Sequence, residues 1–223
     1  MNRPVSGWIR NDTCAELIES RDIARALANN RPTDERFGVR FFGTGNRSWI
    51  EAAVLVALIR REYGLNLILT ERAANLPRHA GQIAFPGGRA VADDKAFMQT
   101  ALREAEEEIG LHRDQVEILG TGPCYQTVTG FRIHPFVGLI DSDFQPVLQV
   151  AEVASLFEVP FDHLINPDNF HITSVTDQTV NRQRTRYEVK FGAYHIWGAT
   201  AAILYRLARR LQGTGGTAPT GVN

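Results

Sequence analysis

The sequence predicts an α/β sandwich, with mixed sheets packed between helices and a helical extension at the N-terminus. Three observations carry that reading. Apolar, strand-like runs recur along most of the chain, and two substantial helices interrupt them. At 223 residues and 43% hydrophobic, the chain is also long enough to core one domain with additions. We therefore expect residues 1–48 to form a helix and connector, 49–211 the main domain, and 212–223 a flexible tail.

The elements follow in order. Thr13 is placed to cap a helix over 14–29, in which Leu17, Ile18, Ile23, Ala24 and Leu27 share a packing face. Residues 30–48, broken by Pro32, Gly38, Gly43 and Gly45, read as a connector. The run over 50–60 is apolar without alternation and suits a strand buried on both faces. A second strand covers 65–70, after a turn near Tyr63-Gly64, and a short third one covers 82–85 and leads into a Gly87-Gly88 loop. A helix follows, starting near Asp94 or Ala96 and stopping at Gly110, a natural C-terminal breaker. Strands are expected at 116–119 and 131–140, where Pro135 marks an edge or irregular position. A further strand at 155–159 ends at Pro160, and a short helix begins at Phe161. Strands at 171–175, 186–191 and 194–197 precede a final helix over 199–211, with Ile203, Leu204 and Leu207 inward.

Composition narrows the function. Net charge is −1, without the basic excess of a nucleic-acid binder. Twenty-two Arg against two Lys reads first as codon bias. Two cysteines are too few and too far apart for a disulfide framework or zinc site, which fits a reducing cytoplasm. No apolar run approaches the ~18 residues of a membrane span, and neither end reads as a signal peptide. We expect a cytoplasmic protein bound to neither membrane nor nucleic acid; a homodimer remains open.

The most informative stretch is Arg103-Glu104-Ala105-Glu106-Glu107-Glu108-Ile109-Gly110-Leu111. At ~100° per residue, Glu104, Glu107 and Glu108 share one side of the helix, while Met98, Ala101, Leu102, Ala105 and Ile109 share a burial stripe. Glu106 points away from both. Stacking Glu104 above Glu108 is repulsive, acids near a helix C-terminus oppose its dipole, and no cation follows one turn later. A hard divalent cation such as magnesium would relieve the strain. A solvated acidic face is the bland alternative. Against it stand Arg103, placed to fix a carboxylate, and Gly87-Gly88, which allow backbone close to an ion or phosphate.

This arrangement resembles the signature of the Nudix hydrolases. Arg103, Glu104, Ala105, Glu107, Glu108, Gly110 and Leu111 match its C-terminal half at every defined position. Fourteen residues separate Gly88 from Arg103, one more than usual, and Asp93 or Asp94 takes the place of the usual loop Glu. Leu69-Thr70-Glu71-Arg72 with Leu76-Pro77-Arg78-His79-Ala80-Gly81-Gln82-Ile83-Ala84-Phe85-Pro86-Gly87-Gly88 looks like the extra motif of the coenzyme A pyrophosphatase branch. Val128-Thr129-Gly130-Phe131 and Tyr194-His195-Ile196-Trp197-Gly198 also look like that branch, so the resemblance covers about 49–211.

The resemblance implies a Nudix-type α/β/α sandwich and Mg2+- or Mn2+-dependent hydrolysis of coenzyme A or its derivatives to 3′,5′-ADP and 4′-phosphopantetheine. It also implies Glu104 and Glu108 as first metal ligands, then Glu107, with the Gly88 carbonyl added and Arg103 orienting them. Glu152, in the polar stretch before the 155–159 strand, is the expected general base on a mobile loop, with Glu158 the runner-up and Glu107 the fallback within the helix. Arg72, Arg78, His79 and Gln82, with Gly87 and Gly88, are the substrate-binding candidates. His79 and Gln82 suit a bracing role equally well. Tyr125 and Phe131 suit either an adenine or the core. The residues alone say only metal-dependent phosphoanhydride hydrolysis. Another nucleoside diphosphate derivative, such as ADP-ribose, a dinucleoside polyphosphate or a damaged nucleotide, is the competing substrate. A non-catalytic nucleotide-binding regulator is the competing class, and the complete set of signature Glu counts against it.

Overall fold

A single apolar run organises the computed structural model, which describes residues 18–28, 49–76, 79–177 and 182–212. That run is β1 (Ile50–Arg61), which pairs in parallel with β7 (Phe131–Ile140) from Ile50 opposite Phe131 to Ile59 opposite Ile140. Its other edge holds two antiparallel partners, β4 (Gly87–Arg89) at 52–54 and β2 (Gly64–Arg72) at 58–61. Beyond β2 lie β3 (Ile83–Ala84) and β8 (Val153–Pro160). Beyond β7 lie β5 (Val116–Thr121) and β6 (Tyr125–Gln126). The result is an eight-stranded mixed sheet. β9 (Phe170–Asp177), β10 (Arg182–Phe191) and β11 (Tyr194–Trp197) make a separate antiparallel sheet of three.

Strand alternation then builds the layers. Ala53, Leu55, Ala57 and Ile59 of β1 pack with Ala101, Ala105 and Ile109 of α2 (Phe97–Ile109). Val56 and Leu58 point the other way, into a core shared with α1 (Ser20–Ala28), α3 (Phe161–Ile165), α4 (Gly198–Leu211) and the inner face of the small sheet. The expected α/β/α sandwich is therefore present, with β1 buried on both faces.

Several local expectations need correction. Ile18 and Glu19 are not helical and α1 begins at Ser20, while Thr13, Cys14 and Leu17 lie outside the described residues, as do 30–48 and 213–223. The Gly87-Gly88 loop is a strand. Its glycines lie so close to β1 that a Cβ at Gly87 would sit 2.5 Å from the Ala53 carbonyl oxygen. Met98 is exposed, because the sheet beneath the first turn of α2 carries Glu51, Arg132 and His134 instead of apolar side chains. Phe97 turns inward in its place and stacks on the His134 ring at 3.9 Å. Of the two positions expected for Pro135, edge or irregular, the structure shows the irregular one, within the sheet. The Pro135 carbonyl accepts from Gly122 N–H in the interval between β5 and β6, so the missing proline N–H falls on that side of β7, where neither strand pairs with it, while the other side keeps its register with Val54 of β1.

Candidate active site

Glu108 is the best-buried acid of the chain's described part, at 4% exposure. It is held there by the path of β3 into β4, which brings Gly87 N–H to donate to its carboxylate at 3.1 Å. Burial pushes its pKa from 4.5 up to about 7, and the charges of Glu104 and Glu152 push in the same direction, while the Gly87 N–H and the Arg72 cation oppose them. Burial likewise raises Glu104, against the pull of Arg103 and with the help of Glu107 and Glu152. The two carboxylates, one turn apart on α2, therefore face β4 rather than bulk water.

Gly88 fits this arrangement by having no side chain. A Cβ there would lie 2.4 Å from the Glu104 carboxyl carbon. The backbone at Gly88 and the carboxylates of Glu104 and Glu108 thus share one small space, lined by hard oxygen donors.

Arg103 is fixed by four groups. Its Nε and Nη2 donate to the two Asp94 carboxylate oxygens, each at 3.2 Å, and Nη2 also reaches the Arg89 carbonyl at 3.2 Å. Nη1 pairs with Glu104 at 2.9 Å and with Glu107 at 3.0 Å. Asp94 in turn accepts from Val91 N–H and the Thr100 hydroxyl. The Arg103 guanidinium chiefly, with these donors, brings its pKa down to about 2. Asp93 and Asp94 are equivalent on the sequence; the fold selects Asp94, because Thr100 and Arg103 on α2 both reach it.

Glu107 is 58% exposed, at the rim. Glu106, directed away, pairs with His112 at 3.0 Å. Glu152 is exposed and borders the acid pair through the loop that follows β7. That loop is anchored, contrary to the expectation of a mobile one. Val147 and Gln149 N–H groups cap the Ile109 and Glu108 carbonyls left open at the end of α2, Phe144 is buried, and the Glu152 carbonyl accepts from Ala73 N–H at 2.8 Å. Glu158 instead receives Arg61 and Asn66 on the sheet, which engages both of its carboxylate oxygens there.

Among the substrate-binding candidates, Arg72 ends β2 and bears electrostatically on Glu108. Its N–H donates to the Gln82 carbonyl, and the Gln82 N–H to the His79 carbonyl, closing a turn with His79 at φ 58°. His79 is exposed, while the Gln82 side chain abuts Gly198 at the start of α4. Arg78 lies outside the described residues. Tyr125 packs against the α4-side core under the Arg206 guanidinium, 4.9 Å from its ring centroid. It stands on the far side of the sheet from α2.

Among the described residues, no three His, Cys, Asp or Glu side chains converge as a closed metal cluster. The donor set nevertheless fits a hard divalent ion. A buried and a half-buried carboxylate are held charged only at a cost, with a third acid beside them, Arg103 shared between Glu104 and Asp94, and Arg72 acting on Glu108 from β2. Glu51, Arg132 and His134, paired under the first turn of α2, form a polar cluster the sequence did not announce, since Glu51 lies about eighty residues from the other two.

A model of the NUDIX domain matches residues 49–176. The chain is 40% identical over 164 residues to the uncharacterized Nudix hydrolase NudL of Pectobacterium atrosepticum, covering 72% of this chain and 82% of that protein. The protein of the same name from Yersinia pestis is 37% identical over 173 residues, covering 77% and 83%. Among solved structures, a C. elegans Ap4A hydrolase binary complex aligns over 50% of this chain and 80% of its own, with 19% identity and a TM-score of 0.43.

Proposed function

The chain belongs to the Nudix hydrolases, enzymes that cleave phosphoric anhydrides, generally with a divalent metal ion, and we propose that its substrate is coenzyme A or an acyl or oxidised derivative. The products are 3′,5′-ADP and 4′-phosphopantetheine or its modified form. The observation that carries this reading is the position of the 69–88 segment, the part of the chain that looks like the coenzyme A pyrophosphatase branch. Arg72 bears on the Glu108 carboxyl, and the same segment runs through Gln82 directly into Gly87 and Gly88.

In this reading Glu104 and Glu108 hold the cation, with the Gly88 carbonyl beside them and Glu107 as a further carboxylate at the rim. A bound Mg2+ or Mn2+ would neutralise diphosphate charge and acidify water. Arg103, locked by Asp94, keeps Glu104 from swinging away. Arg72 faces the diphosphate, and Arg78 and His79 lie along the same segment for its phosphates, with Gln82 bracing the turn against Gly198. Glu152 accepts the proton of the attacking water as its oxygen joins phosphorus and the bridging P–O bond breaks. The anchored loop makes Glu152 a preorganised base. A free Cys124 fits a cytoplasmic enzyme, and no helix among the described residues is long and apolar enough to cross a membrane.

Incubation with coenzyme A and Mg2+, beside ADP-ribose and a dinucleoside polyphosphate, tests this by the masses of the products. Coenzyme A should turn over fastest and yield 3′,5′-ADP. Faster cleavage of ADP-ribose would overturn the substrate and leave the chemistry standing.

A further inference from the structure

The outer face of the three-stranded sheet carries a second group of functional side chains. The register of β10 on β11 sets Glu188 opposite Trp197 and Lys190 opposite His195. Alternation puts Arg186 on that same face. Tyr187, Val189 and Ile196, the residues between, are buried in the core, so this face points outward. Trp197 is 37% exposed, and the Arg186 guanidinium lies 5.7 Å from its ring centroid. Glu188 holds both neighbours, with Arg186 Nε at 2.8 Å and His195 Nε2 at 3.0 Å. One carboxylate therefore fixes a guanidinium and an imidazole beside a partly exposed indole, with Lys190 next to them.

The same face is joined to the segment that leads into β4 through short contacts at the start of α4. Gly198, next to Trp197, leaves room for Gln82, whose amide nitrogen would lie 3.2 Å from a Cβ there. Thr200 on α4 donates to the Ile83 carbonyl at 3.0 Å. From Gln82 the chain runs six residues to Gly88, a span of at most ~20 Å. The sheet face is thus linked, through Gly198 and Thr200, to the segment that enters β4, without belonging to the metal-binding part of the proposed site.

We propose that Trp197, Arg186 and His195 form a subsite for an adenine nucleoside bearing a 3′-phosphate. The base stacks on the indole, and the guanidinium and imidazole take the phosphomonoester. Three observations support the assignment: a partly exposed aromatic plane, an excess of basic groups on the same face (Arg184, Arg186, Lys190, His171 and His195 around Glu188), and a carboxylate that prealigns two of them. A stacking platform accepts any base, so discrimination falls to the charge-assisted contacts with the 3′-phosphate. The inference rests on the proposed coenzyme A reading, because it places the far end of that substrate.

Calorimetric titration of the full chain with adenosine 3′,5′-bisphosphate and with adenosine 5′-monophosphate tests it without turnover. The bisphosphate should bind more tightly, and Arg186→Ala should remove most of the difference. Trp197→Ala should weaken both ligands roughly tenfold, the scale of one lost stacking contact, and Trp197→Tyr should restore most of the loss if the alanine variant folds poorly. In kinetics, Arg186→Ala should raise KM for coenzyme A while leaving that for its 3′-dephospho form unchanged. Equal affinity for the two nucleotides in the unsubstituted protein, or unaltered affinities in folded Arg186→Ala and Trp197→Tyr proteins, would overturn the subsite. Failure to hydrolyse coenzyme A with bisphosphate selectivity intact would instead count against the substrate reading alone.

Discussion

Gly88→Ala is the most informative single change in the acid cluster. The backbone at Gly88 is not in the left-handed region, so alanine is compatible with the β4 conformation. The added methyl, however, would lie 2.4 Å from the Glu104 carboxyl carbon, where ordinary contact needs ~3.5 Å. The carboxylate must therefore retreat by roughly 1 Å, and because it ends a flexible side chain it can do so at little cost in stability. Catalysis has no such tolerance, since a displacement of ~1 Å in a reacting site costs on the order of a hundredfold in rate. A fall of about that size in kcat for coenzyme A with Mg2+ is expected, with a melting temperature within a few degrees of the parent. Retention of near-parental turnover in the folded variant would refute the placement of Glu104 and Gly88 around one ion.

Further outcomes follow from the neighbouring groups. The folded-state pKa of Glu108 is raised, so its contribution to stability is complete below 4.5 and disappears as pH rises through about 7. Chelated protein should lose on the order of 3 kcal/mol across that window by urea denaturation, Glu108→Gln should flatten the slope, and Mg2+ at pH 8 should restore stability. Asp94→Asn removes the anion that fixes Arg103 and should lower stability by about 2 kcal/mol, with turnover reduced because Glu104 loses its oriented partner. An unchanged denaturation midpoint would show that Thr100 and Arg89 hold the loop without it. Glu152→Gln should lower kcat by about a hundredfold or more while metal affinity and KM stay close to the parent; lost metal affinity would make Glu152 a ligand, and full activity would return the base to Glu107.

How much of this could be read from the residues depended on how local each signal was. The α2 acids, its burial stripe and its Gly110 stop lie within fifteen residues, and the helical period alone aligned them. β1, long and apolar, announced its double burial for the same reason. Whatever depended on approach between distant segments was hidden. Gly87-Gly88 became a strand only because β1 lies against it, a relation no turn propensity contains. The choice of Asp94 over Asp93 required knowing where Thr100 and Arg103 point. The loop before β8 reads as mobile from its polarity, yet its N–H groups finish the open end of α2, and that pairing is visible only in three dimensions. The Glu51–Arg132–His134 cluster and the Arg186–Trp197 face likewise arise from strand register, which the sequence does not print.

The most direct test of the central reading is the turnover of Glu108→Gln with coenzyme A and with ADP-ribose at saturating Mg2+. The amide keeps the shape and the Gly87 hydrogen bond and removes the charge that the cation needs. A loss of roughly a hundredfold or more with both substrates, in a protein whose melting temperature is preserved or raised, is the expected result. Near-parental turnover with either substrate would contradict the assignment of the reaction to the space between α2 and β4.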